Sequence, residues 1–177
     1  MGRTTRYAAF LRGINVGGVN LKMVAVAQAL QSAGFADVKT ILASGNVLLD
    51  SGAGTSSVRK NTEKALRDEF GYEAWVLAYD LDTLAEISSN YPFEREVEGH
   101  HSYVTFVSDD DVLGELAAVG ENPGPGEKIQ AGAGVVYWQV PRARTLDSAM
   151  GKTMGKKRYK SSTTTRNLRT INKVLSG

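Results

Sequence analysis

Three stretches of this sequence place anion-recognising residues where backbone amides are expected to be free. The first runs from Gly13 to Asn20 between the cations Arg12 and Lys22, and holds Asn15, Gly17 and Gly18. Glycines let a backbone approach an anion closely, and amides at the start of a following helix point towards it. The spacing fits neither the P-loop nor G-x-G-x-x-G, and a tight turn needing positive φ would use the same residues. The second stretch is Ser44-Gly45-Asn46, which a hairpin turn explains and in which Ser44 and Asn46 are candidate ligands for the same anion. No G-x-S-x-G elbow surrounds Ser44, so the nucleophile reading has no support. The third is Ser161 to Asn167, in which Thr165, Arg166 and Asn167 open the last predicted helix. Hydroxyls that cap free amides can equally bind phosphate oxygens, and the helix dipole favours negative charge there.

A basic tract precedes that helix. Lys152, Lys156, Lys157, Arg158 and Lys160 surround Tyr159, and no acid occurs from Lys152 to Gly177. From Arg142 onward there are ten Lys or Arg against the single acid Asp147, whereas residues 1 to 141 carry eleven against eighteen. Such asymmetry points to an anionic partner and says nothing about fold. Residues 152 to 173 are therefore the expected contact for a phosphorylated small molecule or a nucleic acid. A solvated loop is the plainer reading of the same charges.

Other chemistries find little footing. The chain has no cysteine, which excludes disulfides, thiolate zinc sites and thiol nucleophiles. His100 and His101 are adjacent, and on a strand they would point to opposite faces, which suits a surface pair better than one metal. Asp109-Asp110-Asp111 stands just before a predicted helix, where acids serve capping and the dipole. No catalytic residue, metal or cofactor is assigned.

The elements that must position these groups follow from periodicity. Thr5 to Arg12 reads as a strand, Leu21 to Ala33 as a helix stopped by Gly34, and Val38 to Ala43 with Val47 to Asp50 as a hairpin. A helix capped by Thr55 or Ser56 and ended by Gly71 leads to a strand over Tyr72 to Tyr79, and a short helix follows to about Ser89. After Asn90 to Glu98 the order restarts with strand His101 to Val107, helix Asp109 to Val119 and a hairpin around Ala131 to Gly134. The chain closes on a helix from about Thr164 to Leu175. The expected fold is α+β, with duplicated ferredoxin-like βαββαβ halves, each an antiparallel sheet covered by helices. The expected boundaries are residues 1–90, a linker at 91–99, and a second half at 100–177 that lacks its last strand. The stretch from Pro141 to Ser162 shows no clear period. The order also occurs in RNA-recognition motifs, but Asn46 to Asp50 carries no stacking aromatic.

Leu11-Arg12-Gly13-Ile14-Asn15-Val16-Gly17-Gly18, Ser44-Gly45-Asn46-Val47, Asn90 to Phe93 and Thr164-Thr165-Arg166-Asn167 together resemble the bacterial family known as domain of unknown function 1697. The resemblance implies a duplicated ferredoxin-like fold and a cytoplasmic bacterial protein, and brings no activity with it.

These readings lead to a protein binding a phosphate-bearing ligand, a nucleotide or a nucleic acid, through Arg12, Asn15, Gly17, Gly18, Ser44, Asn46, Thr165, Arg166 and Asn167. The alternatives are an enzyme acting on a phosphorylated metabolite, and a structural protein forming a homodimer through the sheet edge left by the missing strand. No apolar run reaches bilayer length, so no membrane partner is expected.

Overall fold

The computed structural model describes residues 4–12, 20–42, 45–144, 148–154, 156–159 and 161–177. The chain divides into two compact units, Met1–Ala85 with Lys173–Gly177, and Glu86–Asn172.

In the first unit the order is β1 (Thr5–Arg12), α1 (Met23–Ser32), β2 (Ala36–Ile41), β3 (Asn46–Ser51), α2 (Thr55–Phe70) and β4 (Trp75–Asp80), followed by α3 (Leu81–Ser89), of which the residues to Ala85 belong to this unit. The four strands pair antiparallel as β2-β3-β1-β4. Period-two alternation puts Tyr7, Ala9 and Leu11 of β1 on one face, where they pack with Val26 and Leu30 of α1 and Val58 and Leu66 of α2. Gly71 takes φ 66° after α2, the left-handed stop that glycine adopts without a Cβ penalty. The start of α2 differs from expectation: its cap is Gly54, and neither Thr55 nor Ser56 supplies a capping side chain.

The second unit repeats the plan. β5 (His100–Val107), α4 (Asp110–Val119), β6 (Lys128–Gly132), β7 (Val135–Pro141), α5 (Ala149–Met154) and β8 (Thr163–Asn167) precede α6 (Leu168–Ser176), of which the residues to Asn172 belong to this unit. The sheet order β6-β7-β5-β8 reproduces that of the first, so each half is a βαββαβ motif followed by a helix. Asp109 caps α4, its carboxylate accepting from the amides of Asp111 and Val112.

Two expectations for this unit are corrected. The second half does not lack its last strand: Thr163–Asn167 is β8, with Thr105 opposite Thr165 and Tyr103 opposite Asn167. Three consecutive β-branched threonines favour extended backbone, and β5 offers them a ladder that an isolated helix start cannot match. The sheet edge on which the homodimer reading rested is thus filled. The aperiodic stretch before it also carries structure, because α5 sets Met150 in the core and a 3-10 turn at Lys157–Tyr159 buries Tyr159 beside it.

Glu127 holds α5 in place. Its carboxylate, almost fully buried, accepts from the amides of Gly124 at 3.1 Å and of Ala149 and Met150 at 3.0 Å. A carboxylate against the free amides of a first turn satisfies donors that the helix itself cannot.

Candidate functional site

Where β5 begins and β8 ends, the second unit opens a hollow of about 490 Å3. Arg95 reaches it from the segment before β5, Arg142 from just after β7, and Arg169 from the first turn of α6. His100 and His101 also line it, with Glu96 as its one carboxylate among the described residues.

These cations are not equivalent. Arg95 is tied down, donating to the Ser88 carbonyl at 2.6 Å and the Ser88 hydroxyl at 2.9 Å. Arg169 has a 3.3 Å contact from Nε to Glu96, with both side chains about two-thirds exposed, and such a pair is weak in water. Arg142 is exposed, and its backbone amide is fixed by the Gly99 carbonyl at 2.9 Å. The His101 imidazole is held below its ordinary pKa, first by burial and then by the charges of Arg142 and Arg169. Guanidiniums from two separate elements therefore act on one ring, the electrostatic mark of a cationic focus.

Asn167 lines the hollow and caps α6, its Oδ1 accepting from the Arg169 amide at 2.9 Å. It is the sequence-predicted ligand that the hollow contains. Thr165 is committed elsewhere. Its hydroxyl lies 2.8 Å from that of Thr105, which accepts from Trp138 Nε1 at 2.9 Å. Arg166 alternates to the other face of β8, is only 8% exposed, and donates to the Thr164 hydroxyl at 2.7 Å and the Thr165 carbonyl at 2.9 Å. Neither residue opens a helix, contrary to the sequence expectation, because the threonine run joins the sheet. Arg166→Ala is expected to lower stability by about 2 kcal/mol, the scale of hydrogen bonds from a buried charged group, on thermal or urea unfolding.

The first unit holds Arg12 and Asn46 at the same end of β1 and β3. Asn46 is fully buried and donates from Nδ2 to the Ile41 carbonyl at 2.8 Å, bracing a hairpin in which Gly45 takes φ 90°. Arg12 has a buried Nε with no hydrogen-bond partner, and burial lowers its pKa. Asn15, Gly17, Gly18 and Ser44 lie outside the described residues. In the basic tract, Lys152 and Lys156 are exposed, while Arg158 pairs with Glu115 and lies 5.4 Å from the Tyr159 ring.

Sequence reasoning missed Arg95, His100, His101, Arg142 and Asn172. The histidines were weighed only as metal ligands, and the arginines sit in a linker and at a strand end, with no local motif around them. No group of three or more potential metal ligands occurs among the described residues.

A family model described as a protein of unknown function, DUF1697, matches residues 4–137, most of the chain. The chain belongs to this family. The DUF1697 match ends within β7, ahead of Arg142, Asn167 and Arg169. A conserved bacterial protein, SP0830 from Streptococcus pneumoniae, shares the fold with a TM-score of 0.80 and 22% identity, over 98% of each chain. An unknown protein from Galdieria sulphuraria aligns over 93% of this chain and 99% of its own, at 10% identity and a TM-score of 0.29, too low to bear on the fold. No curated protein matches. No helix among the described residues is long and apolar enough to cross a membrane.

Proposed function

We propose that this DUF1697 protein binds a small phosphate-bearing ligand in the hollow of its second unit. The observation that carries the reading is that Arg142 and Arg169, from separate elements, line one hollow together with His101. Guanidinium forks match phosphate oxygens in two-point geometry, and their charges are fixed across the physiological range. A volume of about 490 Å3 lies in the range that small ligands fill, and favours a small molecule over a nucleic-acid backbone, which tracks an extended basic groove. Glu96 completes the logic: its weak, exposed pair with Arg169 is readily exchanged for a stronger anion.

Calorimetric titration with inorganic phosphate and pyrophosphate at low ionic strength tests the reading. Saturable binding at one site per chain, weakened as salt rises, is the expected result. Absence of binding by either compound contradicts it.

A further inference from the structure

The hollow joins an aromatic row. His101 and Tyr103 lie two residues apart on one face of β5, with ring centroids 5.4 Å apart at 40°. Tyr103 stands directly opposite Trp138 in the β5–β7 register, with centroids 4.6 Å apart at 35°. The row is anchored at its inner end. Trp138 is buried in the core of the unit, and its indole N–H is held by the Thr105 hydroxyl. Its outer ring, His101, lines the hollow.

The character of that outer ring matters. Burial and the charges of Arg142 and Arg169 disfavour the imidazolium, so His101 favours its uncharged ring in a hollow that both arginines also line. A planar ring backed by two further rings offers stacking to a ligand with an aromatic part, while the arginines take its charge. Sequence order alone does not show this. Tyr103 and Trp138 meet only through the strand register.

Resting on the phosphate reading, we infer that the ligand is a free nucleoside monophosphate, its phosphate held by Arg142 and Arg169 and its base stacked on His101 at the open end of the His101–Tyr103–Trp138 row. Stacking on an aromatic side chain is sequence-tolerant, so a purine or pyrimidine would serve, with the larger purine surface favoured.

The test compares AMP, UMP, ribose 5-phosphate and a 5′-phosphorylated trinucleotide, titrated calorimetrically into the full chain and into its His101→Ala and His101→Phe variants. AMP should bind about tenfold or more tighter than ribose 5-phosphate, the scale of one stacked base. His101→Ala should collapse that ratio towards one, and His101→Phe should keep it. Circular dichroism of both variants confirms that the fold is intact. Ribose 5-phosphate binding as tightly as both nucleotides overturns this inference and leaves the phosphate reading standing. An AMP preference that survives in His101→Ala overturns it as well. A trinucleotide binding tenfold tighter than AMP overturns the assignment to a free mononucleotide. Binding by none of the four overturns both readings.

Discussion

Converting Arg142 and Arg169 together to alanine is expected to weaken binding of pyrophosphate by about a hundredfold, while the melting temperature moves by no more than about 2 °C. Each charge-assisted contact to a phosphate is worth about 1.5–3 kcal/mol, so losing two suffices for that change. Stability is spared because both side chains are exposed. The ion pair of Arg169 with Glu96 is solvated on both sides and contributes little. The backbone bond from Arg142 to Gly99 survives the substitution. Exchange of both arginines for lysine should give an intermediate loss, because the charge remains and the two-point geometry does not. A fall of many degrees in melting temperature with unchanged affinity would make these arginines structural.

The largest effect on stability is expected at Glu127. Glu127→Ala should cost about 3 kcal/mol, since three amides lose a charged acceptor inside the protein and a cavity is left behind. For a chain of this size that corresponds to a fall of roughly 6–12 °C in melting temperature. Ala149 and Met150 begin α5, and Met150 is fully buried, so the loss should loosen the packing of α5 against the core. Glu127→Gln keeps one acceptor oxygen and should recover part of the loss. Proteolytic cleavage within residues 141–162 should accelerate in Glu127→Ala, giving a local readout separate from global unfolding.

What was legible in the sequence was local. Thr5 to Arg12 coincides with β1, Gly71 ends α2 in the left-handed region, and Asp109 caps α4, because each signal depends on a few neighbouring residues. The duplicated βαββαβ order followed from such signals in sequence, and the two sheet orders bear it out. Residues 161 to 167 were misread for an equally physical reason. A run of serine and threonine is both a good helix cap and a good strand, and only the long-range ladder of β5 decides between them. Asn167 fits both descriptions, ending β8 and capping α6. The hollow was invisible from sequence because Arg95, Arg142 and Arg169 share no motif and meet only through the ends of the second sheet. Arg166 drew attention through its place in the family motif, yet it braces the strand.

The most direct test of the account is the titration of His101 by NMR, following its imidazole signals with pH in chloride and then in saturating inorganic phosphate at equal ionic strength. In chloride the His101 pKa should lie below the ordinary histidine value, because burial, Arg142 and Arg169 all disfavour the charged ring. An anion seated between the arginines offsets their field and favours the imidazolium, so the account predicts a rise in the His101 pKa, with phosphate binding strengthening as pH falls through it. A His101 pKa that is the same in both salts contradicts the account.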